Sequence, residues 1–170
     1  MANTFELIAS STAGSGGAAS FTFTAIPATY TDLTLQLSVR AANSGGPGGF
    51  VLVPTINGST SNFSWRRVGS DGTTAFSDSG ATNYWSNLPG STVTANTFAS
   101  FSIYIPSYTS SNNKSISLDS SVEINSTLGR ETLMASLWSN SAAITSIGLA
   151  VDTGNFEQYS SAYLYGVKNA

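Results

Sequence analysis

The 170-residue chain contains no cysteine and no histidine. Without cysteine there are no disulfides, no thiolate metal sites and no thiol redox chemistry. Without histidine, neither a Ser/His/Asp nor a Cys/His catalytic arrangement can be built, and imidazole metal sites are excluded as well. Charge is also scarce. Charged side chains make up 9% of the residues, six cationic against nine acidic, for a net charge of −3. No basic stripe can form, so nothing drives phosphate binding and nucleic acid is not expected as a direct ligand. No apolar run reaches the roughly eighteen residues of a membrane span. The opening "MANTFELIAS" has neither the basic nor the apolar region of a secretory signal, so synthesis in a cytoplasm without export is expected.

What is present is a mixture of hydroxyls, amides, glycines and alternating apolar residues. Ser, Thr, Asn and Gly form nearly half of the chain, and 41% of it is hydrophobic. That combination favours β-structure with polar turns over both helix and disorder. Candidate strands lie at 4–9, 20–26, 33–40, 50–56, 62–68, 98–106, 114–124, 131–139, 144–151 and 161–167. Many short strands at this spacing predict one antiparallel sandwich or barrel spanning 1–170. The clearest alternation sets Leu33, Leu35, Leu37 and Val39 against Thr34, Gln36, Ser38 and Arg40, predicting a central strand. Asn57-Gly58 is a tight-turn signal, so 50–68 is expected to form one hairpin. Residues 69–94 lack sustained alternation and are expected to be an irregular excursion whose aromatics, Phe76, Tyr84 and Trp85, must pack somewhere. The last segment, "SAYLYGV", reads as a paired strand beside the one carrying Phe5 and Leu7. Tyr163, Tyr165 and Val167 are expected to form one buried row, with Leu164 covering the other side.

Catalysis would have to rest on carboxylates. Asp119 and Glu123 stand at even spacing and share a strand face only if the strand runs unbroken between them, a weak match to a glycosidase pair. Asp71, Gly72 and Asp78, or Asp152, Asn155 and Glu157, supply oxygens in loops but match no spaced calcium motif, and turn chemistry accounts for them better. No cofactor or metal is expected. "NYWSN" (83–87) places Tyr84 and Trp85 beside two amides, a weak saccharide-platform signal, because neighbouring strand residues face opposite ways. Of Arg66 and Arg67, one is expected to cover Trp65 or pair with a carboxylate while the other reaches solvent or a partner. The Asn-x-Ser/Thr matches at Asn57, Asn62, Asn113 and Asn125 follow from composition.

Taken together, "MANTFELIASSTAGSGGAASFTFTAIPATYTDLTLQLSVR", "TINGSTSNFS", "IYIPSYTSSNNKSIS", "LWSNSAAITSI" and "SSAYLYGVKNA" resemble a family of small virion structural proteins. That family occurs in tailed bacteriophages, notably those of cyanobacteria and other aquatic bacteria, and the likeness runs over almost the whole chain. The resemblance implies a jelly-roll-like β-sandwich on the virion, non-enzymatic and without catalytic residues to carry over. A chain with no coiled coil, repeat or shaft segment fits a capsid decoration (cement) protein on the outer head surface better than a fibre subunit. The major capsid protein would then be its partner, with self-association as a homotrimer at sites of local threefold symmetry. The second reading is a tail-fibre or receptor-binding tip protein that takes a host-surface saccharide. In either case the expected contact residues are Tyr84, Trp85, Arg66 and Arg67.

Overall fold

A computed structural model describes residues 4–168; the ends of the expected 1–170 domain, at 1–3 and 169–170, lie outside the described residues. The described residues form twelve strands and no helix. In chain order they are β1 (Phe5–Thr12), β2 (Ser20–Phe23), β3 (Asp32–Val39), β4 (Phe50–Ile56), β5 (Phe63–Ser70) and β6 (Ala75–Gly80). They continue as β7 (Asn87–Leu88), β8 (Ala99–Ile105), β9 (Lys114–Val122), β10 (Arg130–Trp138), β11 (Ile147–Val151) and β12 (Ser161–Val167). All pairings are antiparallel. Eight strands form one sheet, in the order β1-β12-β3-β8-β9-β10-β5-β6, and four form a second, in the order β2-β11-β4-β7. The chain is thus an all-β, jelly-roll-like sandwich with unequal layers.

The core between the sheets is set by alternation. Leu33, Leu35, Leu37 and Val39 on β3, with Phe101, Ile103 and Ile105 on β8, point inward and are almost fully buried. They meet Phe21, Leu52, Ile56, Ile147 and Leu149 from the smaller sheet. Phe21 stacks on Phe156 with ring centroids 4.6 Å apart. Pro106 follows directly on β8, where a ladder donor is no longer needed.

Two cations are buried without becoming sites. The Lys114 ammonium donates to the carbonyls of Ser110 (2.8 Å), Asn112 (2.5 Å) and Asn140 (3.4 Å), and burial pushes its pKa below the ordinary lysine value. The Arg40 guanidinium donates to the carbonyls of Ser91, Val93, Thr94 and Thr97 and pairs with Glu157 at 2.6 Å. It holds the 91–97 loop against the end of β3.

Three expectations need correction. Asn57 and Gly58 do take positive φ, 52° and 74°, and close a tight turn, but β4 and β5 belong to different sheets, so 50–68 is a crossover and not a hairpin. The Asn57 side chain secures that crossover, accepting from the backbone N–H groups of Thr145 (2.8 Å) and Ser146 (3.1 Å) and donating to the Ala143 carbonyl (2.8 Å). The 69–94 stretch holds two short strands: β6 pairs with β5, and β7 pairs with the start of β4. Finally, β12 does pair with β1, but its inward residues are Ala162 and Leu164, both fully buried, while Tyr163 and Tyr165 face out. The core accepts the smaller residues because β12 lies inside the sheet, between β1 and β3, and its register follows Leu35 opposite Leu164.

Candidate contact face

The outer face of the eight-stranded sheet carries no covering layer among the described residues. Its composition follows from alternation: β3, β8, β9 and β12 send mainly Ser, Thr, Gln and Tyr outward, while β10 and β5 send Leu133, Ala135, Arg66 and Val68. In register, one row runs Leu7, Tyr165, Thr34, Tyr104, Ser117, Ala135, Arg66, Ser79. The next runs Ser10, Tyr163, Gln36, Ser102, Asp119, Leu133, Val68, Ser77. Most of the large apolar side chains that stay exposed belong to this face: Phe5, Leu7, Tyr104 and Tyr163 toward one end, Val68 and Leu133 toward the other.

At the β9-β10-β5-β6 end, Leu133 and Val68 stand directly opposite each other, 58% and 54% exposed. They border a shallow groove of about 430 Å³ that Arg66, Ser117 and Ala135 also line. Arg66 lies exposed, with its guanidinium bonded among the described residues to the carbonyl of Trp65 (2.9 Å), so its charge faces outward.

The other face of β5 is closely packed against β6. On that face an aromatic residue of each strand lies across a glycine of the other. Trp65 is opposite Gly80, where a Cβ would come within 2.6 Å of the indole, and Phe76 is opposite Gly69, where one would come within 2.5 Å of the ring. Between them Arg67 faces Asp78 and binds it through two bonds, 2.5 and 2.7 Å. The Arg67 guanidinium carbon lies 5.4 Å from the Trp65 ring centroid and 5.0 Å from those of Phe76 and Tyr84. The two-pronged bond to Asp78 raises the pKa of Arg67, and Arg67 holds the Asp78 carboxyl below its ordinary value. Asn87 gathers the rest, its Oδ1 accepting from Arg67 (2.9 Å), Arg130 (3.0 Å) and the Tyr84 hydroxyl (2.7 Å). Tyr84 also accepts from Arg67, and burial raises the pKa of its phenol.

The four residues singled out in sequence therefore part company. Arg66 is exposed on the outer face. Arg67 covers Trp65 and pairs with a carboxylate, as one of the two arginines was expected to. Tyr84 packs against Trp65 at 4.7 Å with its hydroxyl engaged. Trp85 is fully buried beside β4, its backbone N–H bonded to the Leu52 carbonyl at 2.8 Å, so it is a core anchor and presents no platform to a sugar. Asn87 was missed, because its partners lie up to 43 residues away and nothing local marks it.

The carboxylates are dispersed. β9 ends at Val122, so Glu123 lies beyond the ladder and accepts from Asn125 N–H, while Asp119 sits on the outer face opposite Leu133. Asp71 Oδ1 accepts from the backbone of Thr73 and Thr74, which lowers its pKa, and Asp152 accepts from Val51 N–H. Among the described residues no three His, Cys, Asp or Glu side chains converge as a metal site, and no helix is long and apolar enough to cross a membrane. No protein-family model, curated protein or solved structure matches the chain.

Proposed function

We propose that the protein is a non-enzymatic structural component of a phage virion, a capsid decoration protein that binds the outer surface of the head. The observation that carries the contact assignment is the Leu133/Val68 pair, exposed on a sheet face braced from behind by the Arg67-Asp78-Asn87 cluster. Apolar residues held on a closely packed, charge-poor surface beside the exposed Arg66 supply what a docking patch needs: desolvation energy, little ordering cost and a steering charge. The virion setting rests on the sequence resemblance. Binding the assembled shell more tightly than free capsid protein would stabilise the shell by linkage alone.

The test is addition of the protein to expanded, undecorated heads of the parent phage. Wild type should bind and raise the temperature at which heads release DNA; Leu133→Asp should lose binding while keeping the wild-type fold. Immunogold label confined to tails would replace this reading with the tail-fibre or receptor-binding one.

A further inference from the structure

Three strands along the sheet from Leu133, the same outer face carries a second depression of about 490 Å³ lined by Phe5, Thr34, Gln36, Ser102, Tyr104 and Tyr165. We propose that it binds a neutral polysaccharide or oligosaccharide chain. The depression exists because small residues alternate with large ones: Thr34 lies between Tyr165 and Tyr104 in one row, and Ser102 follows Gln36 in the next. Tyr165 and Tyr104 are thus two strand spacings apart, about 9.5 Å, enough to stack on two rings of one sugar chain. Phe5 and Tyr104 stand 59% and 42% exposed, and Tyr163 extends the aromatic surface beside Gln36.

Tyr104 is held in place. Its hydroxyl donates to Asp32 Oδ2 at 2.6 Å, while Asp32 Oδ1 accepts from Ser107 N–H at 2.7 Å. A ring fixed before binding loses little freedom on binding. Gln36 donates to Ser102 at 3.0 Å, leaving the Gln36 carbonyl oxygen and the Ser102 hydroxyl hydrogen for a ligand. These polar groups decide the class of occupant. An apolar protein segment laid over them would bury amide and hydroxyl groups without partners, at a cost that offsets the gain from the rings. A sugar brings an apolar ring face for the aromatics and hydroxyls for the amide and serine. No Asp, Glu, Lys or Arg is among the described residues that line it, and Asp119, opposite Ser102, sets a negative charge at the margin, so uncharged sugars are favoured over uronic or sialic acids.

Adjacent strands rotate by roughly 20–25°, so three steps turn this depression about 60–75° from the Leu133 groove. A protein docked by one end can present the other to its surroundings. The assignment stands on this geometry and does not depend on the virion reading.

The test is calorimetric titration of the full chain with cellohexaose, maltohexaose, mannohexaose and xylohexaose, with hexagalacturonate as the anionic control. At least one neutral hexasaccharide should bind. Tyr104→Ala and Tyr165→Ala should each weaken it about tenfold or more, as expected for one lost aromatic contact. Gln36→Ala should weaken it severalfold, and Tyr84→Phe, on the opposite face, should leave it unchanged. Unfolding midpoints of the variants confirm that they are folded. No binding by any neutral hexasaccharide at millimolar concentration would overturn the proposal. So would binding that survives both tyrosine substitutions, equal affinity for hexagalacturonate, or sedimentation showing a wild-type oligomer that Tyr104→Ala converts to monomer.

Discussion

Leu164 and Tyr165 are neighbours on β12 with opposite fates, and replacing each with alanine tests the assignment of the two sheet faces. Leu164 is fully buried between Ala9 of β1 and Leu35 of β3. Strands hydrogen-bonded on both sides cannot close over the space its side chain leaves, so Leu164→Ala should cost about 3–5 kcal/mol, the upper part of the range for buried leucines. For a domain of this size, that lowers the melting temperature by roughly 10 °C. Tyr165 is only half-buried, and its ring packs on the outer face over Thr34. Tyr165→Ala opens no enclosed cavity and should cost about 1 kcal/mol or a little more. Urea unfolding followed by tryptophan fluorescence measures both, with an unchanged m-value as the check that the two-state treatment holds. A Tyr165→Ala cost equal to or greater than that of Leu164→Ala would refute the assignment. It would mean that β12 is turned over and that the tyrosines line the core.

Arg40→Met removes a guanidinium that gathers four loop carbonyls, and should cost about 2–3 kcal/mol by leaving part-buried acceptors unpaired; faster amide exchange confined to 91–97 and its neighbours would identify the cause. Asn57→Ala should cost about 2 kcal/mol, because it loses the bonds to 143–146 and places alanine at a φ of 52°, and Asn57→Gly should recover only the backbone part. Because Arg67 lowers the Asp78 pKa below its ordinary 3.8, the pair stabilises the fold above that value, and its contribution is lost as pH falls through the folded pKa. Asp78→Asn should therefore be less stable than wild type at neutral pH, and the gap should narrow as the pH falls below the ordinary Asp pKa of 3.8 in acid titrations of the unfolding free energy.

Much of the fold was legible in sequence because it depends on near neighbours. Period-two alternation marks β3, β8 and β9, Pro106 marks the end of β8, and Asn57-Gly58 marks a turn whose backbone angles are those expected. The scarcity of charge and the absence of histidine and cysteine bounded the chemistry without any coordinates. Alternation gives two faces but does not say which one is buried when both carry apolar residues. On β12 the outcome followed from Leu35 across the strand pair, and so the tyrosines went outward. A turn signal likewise fixes a local reversal and leaves open which strands pair beyond it; β5 paired with β10, more than sixty residues on, instead of β4. The candidate sites are tertiary for the same reason. The Asn87 hub, the Leu133/Val68 pair and the Tyr104/Tyr165 depression each join residues from strands distant in sequence, and only the sheet order makes them neighbours. Residues 83–87, where sequence placed the aromatic contact, were drawn inward because Trp85 buries more apolar surface against β4 than it could by facing water.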